Sequence, residues 1–160
     1  KGSIWLQSLA SQAPATRLGS EQASEWGAVP SHDGRWIAYS SDATRRMEVY
    51  VRRLGDASAS PFRVSSDGGA SPAWRGDGRE LFYTDDGGRI VAVAFEPSDP
   101  PKVGTGEALF EGGLEEAADR QFDVTGDGQR FLLNRNFPTP GEPIRVVLGW
   151  RERLQQVPQR

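Results

Sequence analysis

Ser31, His32 and Asp33 stand side by side, and they are the three residue types of a serine hydrolase. His32 is the only histidine in 160 residues. A working triad needs nucleophile, base and orienting carboxylate to converge from separate positions. Three successive residues of one turn cannot point at one another, so His32 reads as a turn residue. A zinc site built on it lacks nitrogen and sulfur ligands, because the chain holds no cysteine. The same absence excludes disulfides and cysteine nucleophiles.

Asp123-Val124-Thr125-Gly126-Asp127-Gly128 resembles the opening of a calcium-binding loop. Oxygen ligands fall at alternate positions, with glycine at the sixth. Such a loop should close on a bidentate glutamate at position twelve. That position is Asn134, inside an apolar strand. The acidic group Glu111, Glu115, Glu116 and Asp119 reads as a solvated loop, with Leu114–Asp119 able to form a short helical turn. Asp85-Asp86-Gly87-Gly88 reads as a turn. No carboxylate spacing singles out a glycosidase acid and base. The segment 31–36 falls one residue short of the Asp-box spacing of sialidases. Arg45-Arg46 and Arg52-Arg53 could grip an acidic peptide or phosphate. The simpler reading is alternation along a strand, which sends Arg52 and Arg53 to opposite faces as solvated positions. No catalytic residue, cofactor or metal is expected.

The elements that carry these residues are short. The chain is 36% hydrophobic and 26% charged, with 19 glycines and 11 prolines. That much punctuation suits many strands joined by turns. The net charge of −3 leaves no polyanion footprint, so nucleic acid is not an expected partner. No run of about 18 apolar residues exists, so no membrane-inserted segment is expected. The opening Lys1-Gly2-Ser3-Ile4-Trp5 runs almost directly into a strand-like segment, as in a chain already in progress.

One unit recurs three times: Asp33-Gly34-Arg35-Trp36-Ile37, Asp77-Gly78-Arg79-Glu80-Leu81 and Asp127-Gly128-Gln129-Arg130-Phe131. Asp33 to Asp77 is 44 residues and Asp77 to Asp127 is 50. Those spacings lie near the roughly 40–45 residues of a four-stranded propeller blade. Asp-Gly tolerates positive φ and joins two antiparallel strands tightly. Asp33, Gly34, Asp77, Gly78, Asp127 and Gly128 are therefore the expected structural turns of the repeat. Strands are expected near 26–30, 35–40, 48–54 and 61–64, then 71–75, 80–84, 89–95 and 108–111, then 121–125, 130–135 and 144–150. Trp26, Trp36 and Trp74 are expected to pack between blades. The expected fold is all-β, a partial β-propeller of about three four-stranded antiparallel blades plus an N-terminal half-blade. The half-blade covers 3–18 and the blades cover 26–64, 71–111 and 121–150. The propeller segment thus spans 1–150, and 151–160 forms a C-terminal tail able to make a helical turn or two before Pro158.

The stretch Ser71-Pro72-Ala73-Trp74-Arg75-Gly76-Asp77-Gly78-Arg79-Glu80-Leu81-Phe82-Tyr83 resembles the WD40-like repeat of TolB-like β-propellers. Residues 122–132, then Val146-Val147-Leu148-Gly149-Trp150 and Leu154, are similar to the closing blade of propeller regions of bacterial serine/threonine kinase-associated sensor proteins. Two positions depart from the pattern. Pro30 stands where the second unit has Trp74, and Gly149 stands where such proteins often carry asparagine. The resemblance implies a non-catalytic protein-interaction or sensory module, in some members outside the cytoplasmic membrane, at the cell surface or in the periplasm. The alternative is the accessory propeller of a prolyl-oligopeptidase-like hydrolase with its catalytic domain elsewhere. Such an enzyme continues into a serine-elbow domain, whereas this sequence ends shortly after Trp150.

Three blades cannot close a ring, since propellers use about 4–8. An open arc leaves apolar faces and strand edges uncovered. The expected partners are therefore the remaining blades or a second copy of the chain, as a homo-oligomer, together with a protein or peptide ligand.

Overall fold

The computed structural model describes residues 1–10, 13–56, 59–114 and 121–135. Among them every regular element is a β-strand. The expected strand at 144–150, the tail 151–160 and the helical turn after Leu114 lie outside the described residues.

The chain opens with a two-stranded antiparallel pair, β1 (Trp5–Leu6) and β2 (Thr16–Arg17). A four-stranded sheet follows in sequential order: β3 (Glu25–Pro30), β4 (Trp36–Ser41), β5 (Glu48–Arg53) and β6 (Phe62–Arg63). The next sheet repeats this order with β7 (Ala70–Trp74), β8 (Glu80–Thr84) and β9 (Arg89–Glu96). Its outer edge is shared by β10 (Lys102–Val103) and β11 (Glu107–Glu111), both antiparallel to β9. A final pair is β12 (Phe122–Val124) and β13 (Phe131–Leu133). Each expected strand among the described residues appears within a residue or two of its expected bounds. β10 was not expected. The fourth strand of the second blade is split at Gly104, whose N–H bonds the Ala94 carbonyl at 2.8 Å and keeps the ladder running.

Burial explains the order of the blades. Along β8, Leu81 and Tyr83 join Trp36, Ala38, Val49 and Val51 of the first blade in one core cluster. Phe82, between them, joins Ile90, Ala92 and Phe122 in a second cluster toward the third blade. A strand with period-2 side chains can serve two neighbours only if both alternate sets are apolar. β8 and β9 meet that condition, so the middle blade is covered on both sides. Phe95 sits between two indoles, edge-to-face with Trp36 at 5.2 Å and with Trp74 at 5.1 Å. Phe131 does similar work on the other side, 5.1 Å from Phe82 and 5.2 Å from Phe110.

Trp26 departs from expectation. Trp36 and Trp74 are buried, but Trp26 is 46% exposed. It lies on the innermost strand beside a bulge at Gly27, which takes φ +60°. The same bulge recurs in β7, where Ser71 takes φ +53°. The Ser71 N–H is received by the Ser40 hydroxyl of the first blade at 3.1 Å.

Candidate functional site

The three Asp-Gly turns share one geometry. Ser31 and Trp36, Arg75 and Glu80, and Thr125 and Arg130 close the hairpins through backbone bonds of 2.8, 3.0 and 2.9 Å. The glycine N–H returns to the carbonyl three residues before it at 2.9 Å in the first two turns and 2.8 Å in the third. Gly34, Gly78 and Gly128 take φ of +67°, +69° and +73°. The aspartates take no positive φ. Each instead accepts, at 3.0 Å, the N–H two residues on, from Arg35, Arg79 and Gln129. Within each Asp-Gly pair, glycine supplies the left-handed residue and aspartate supplies an acceptor.

A third contributor was not anticipated. The residue two before each aspartate donates to it: the Ser31 hydroxyl at 2.6 Å, the Arg75 guanidinium at 2.8 Å and the Thr125 hydroxyl. The Ser31 bond, followed by those from Arg35, holds the Asp33 carboxyl down at about 2. The Arg75 guanidinium, then the Arg79 N–H, holds Asp77 at about 2 as well. Asp127 is likewise lowered, first by the Thr125 hydroxyl. The repeating presence of a donor two positions upstream was readable from the sequence. Its varied identity, serine, arginine and threonine, hid it.

This geometry disposes of the triad. The Ser31 hydroxyl is buried and committed to Asp33 and to the Trp36 backbone, while His32 is exposed at the tip. The calcium-loop segment is the β12–β13 hairpin, with Asp127 turned into its own turn. Among the described residues no group of His, Cys, Asp or Glu is arranged to hold a metal. Of the acidic group, Glu111 lies on β11 and the rest lies outside the described residues.

The arginine pairs separate. Arg46 bridges the two complete blades, 2.6 Å from Asp67 and 2.7 Å from Asp86. Arg53 pairs with Asp99 at 3.5 Å. Arg52 is not solvated as expected. It reaches the Leu18 carbonyl of the half-blade, on the face where Tyr39 and Tyr50 stack 6.0 Å apart. Burial, then the Glu25 carboxylate, pushes the Tyr39 hydroxyl up to about 12.

The Asp-Gly turns occupy one end of the arc. At the opposite end a cleft of about 270 Å³ opens between the two complete blades. Arg46 and Asp67 stand on its first-blade wall, and Asp85, Asp86 and Arg89 on the second, with Tyr83 and Val91 beneath. Asp85 accepts the Gly87 and Arg89 N–H groups at 3.0 and 2.9 Å and pairs with the Arg89 guanidinium at 2.7 Å. Arg89 and its backbone hold the Asp85 carboxyl below its ordinary value, against the desolvation that acts on it. Close by, the buried Glu48 carboxylate accepts the Ser65 hydroxyl and the Gly68 N–H.

Sheets of antiparallel strands in sequential order, stacked face to face through interleaved cores, define an arc of a β-propeller. Among solved structures, the chain is similar to the putative TolB from Agrobacterium tumefaciens, with TM-score 0.61 and 23% identity, over 86% of this chain and 51% of that one. It is also similar to TolB from Acinetobacter baumannii, with TM-score 0.47 and 14% identity, over 82% and 42%. The chain therefore spans about half the length of the first and less of the second. No family model and no curated protein matches it.

Proposed function

We propose that this chain is a non-catalytic interaction segment of a TolB-like propeller, which engages a protein or peptide through the loops and central channel of a completed ring. The observation behind this reading is the pair of bulges, at Gly27 and Ser71, on β3 and β7, the first strands of the two complete blades. Bulges and left-handed non-glycine residues re-aim backbone groups and gather at binding rims. Ser31, His32 and Asp33 stay inside one turn, which removes the nearest thing to a hydrolytic apparatus. The resemblance of residues 122–132, 146–150 and Leu154 to kinase-associated propellers supports reading the segment as part of a sensor protein that works outside the cytoplasmic membrane.

Completion of the ring is part of the proposal. β1 carries Trp5 at 58% exposure and Leu6 at 43%. Among the described residues its second edge has no strand beside it. Further blades of the same protein, or a second copy, supply that neighbour.

Photo-reactive residues at Trp26 and Ala28, with an outer-wall control at Arg63, test the interaction in the source cell. A discrete protein adduct from the inner positions alone is expected. Equal labelling from Arg63, or robust turnover of ester, peptide or glycoside substrates by the purified chain, overturns the reading.

A further inference from the structure

We propose that the far face of the third blade, turned away from the second, docks a further blade of the same repeat whose own Asp-Gly hairpin lies against Gly126. Such docking rests on the reading of the chain as part of a completed ring, and it selects a further blade over a second copy of the chain.

The second blade meets the third at three positions. The Gly76 N–H donates to the Gly126 carbonyl at 2.9 Å. Phe82 is buried and stands edge-on to Phe131 at 5.1 Å. The Thr84 hydroxyl donates to Gln121 Oε1 at 2.9 Å. At the spacing that separates Asp77 from Asp127, the third blade carries Gly126, Leu132 and Asn134 in the same places. The register fixes the match, since Leu81 opposes Trp74 and Phe131 opposes Val124. Phe131 and Leu133 pack toward the second blade, so alternation turns Leu132 to the far side. There it is 76% exposed. A repeat that ends a stack carries a polar outer face, whereas this one presents a leucine.

Gly126 selects the occupant. At Gly76 a side chain has no room: its Cβ would stand 2.7 Å from the Gly126 carbonyl oxygen and 2.9 Å from the Gly126 Cα. Gly126 has no such constraint within the described residues. It takes no left-handed φ, and a Cβ there meets nothing within 4 Å. Its N–H, the counterpart of the Gly76 donor, has no acceptor among the described residues. A glycine in ordinary backbone, beside open space, fits a close backbone approach from outside. The half-blade of a second copy does not supply that approach. No Asp-Gly pair lies between β1 and β2. The half-blade also covers the first blade, through Arg52 on the Leu18 carbonyl and the Ser20 N–H on Glu25. A blade with a free hairpin of its own brings a carbonyl to Gly126 and an apolar face to Leu132.

The chain holds no cysteine, so one introduced thiol reports cover at one position. Leu132→Cys, with Leu109→Cys on the outer edge as control, is made in the protein of the source cell and in the isolated chain. Maleimide labelling of each position is followed by mass spectrometry. At position 132 labelling should be at least about tenfold slower in the cell's protein, the reach of one well-packed contact. At position 109 the two rates should agree. Adding Gly126→Ala should restore fast labelling at 132 in the cell's protein, while the urea midpoint of the isolated chain stays the same or rises slightly. Gly76→Ala should lower that midpoint. Equal rates at 132, protection that survives Gly126→Ala, or labelling of the isolated chain that slows as its concentration rises overturns the proposal. If the Gly126→Ala protein does not accumulate in the cell, the comparison at 132 alone decides. Adducts at Trp26 and Ala28 report channel binding independently, so the two readings fail separately.

Discussion

Phe95 stands edge-on to Trp36, with ring centroids 5.2 Å apart and planes at 80°, although the two belong to different blades. Phe95 comes from β9 and Trp36 from β4, and Trp74 of β7 closes the other side. Edge-to-face pairs add to area burial, so this trio ties one blade to the next.

Replacing Phe95 by alanine should therefore loosen the interface itself. Truncating a buried phenylalanine costs about 3–5 kcal/mol. The denaturant midpoint should fall by that equivalent, with a change in tryptophan emission as both indoles lose their neighbour. An unchanged midpoint would show that the blades are held elsewhere.

The glycine turns separate backbone strain from steric strain. A Cβ at Gly34 or Gly78 meets nothing within 4 Å, whereas one at Gly128 meets Arg75 Cδ at 2.9 Å. Gly34→Ala and Gly78→Ala should each cost about 1–2 kcal/mol, the ordinary penalty for a left-handed L-residue. Gly128→Ala should cost more. Equal losses at all three, measured by chemical denaturation, would mean the Arg75 contact yields freely.

Ser71 predicts the opposite sign. It pays the left-handed penalty without being glycine, so Ser71→Gly should stabilise by up to about 1 kcal/mol. A loss on the same scale would show that the serine side chain holds the bulge.

Acid should act through the turn aspartates. Asp33 and Asp77 are held near 2 from an ordinary 3.8. Their native forms bind protons less readily than the unfolded chain does, so they stabilise above about pH 4. That contribution falls away between about 4 and 2. Both carboxyls are partly exposed, so the effect on stability is small. Carboxyl titration by NMR should place both near 2, and Ser31→Ala should raise Asp33 alone.

Arg46→Ala should weaken the chain slightly at low salt and hardly at all in 1 M salt, since its ion pairs are exposed. Comparing urea midpoints at the two ionic strengths measures this. A salt-independent loss would point to packing of the arginine stem instead.

Much of the architecture was legible because alternation and turn chemistry are local. The Asp-Gly units and the apolar strands after them follow from patterns within a few residues, and their recurrence after 44 and 50 residues gives the propeller class. What escaped depends on the third dimension. Arg46 meets Asp86 across 40 positions, and no local rule pairs them. Arg52 looked like a solvated strand residue until the half-blade carbonyl was placed beside it. Trp26 reads like its buried counterparts, but the bulge at Gly27 turns the innermost strand there. The cleft over Tyr83 exists because Gly69 and Gly106 leave space around one ring, and their sequence neighbourhoods read as ordinary loop.

The alternation of β8 bears on how this architecture can change over time. Leu81 and Tyr83 serve one neighbour while Phe82 and Thr84 serve the other. Adding a single residue inside that strand would exchange the two walls and ruin both contacts at once. Growth and shrinkage are therefore channelled into the connecting stretches. The split outer edge at β10 and β11, which carries most of the extra length of the longer repeat, is where such drift can accumulate without touching the stack.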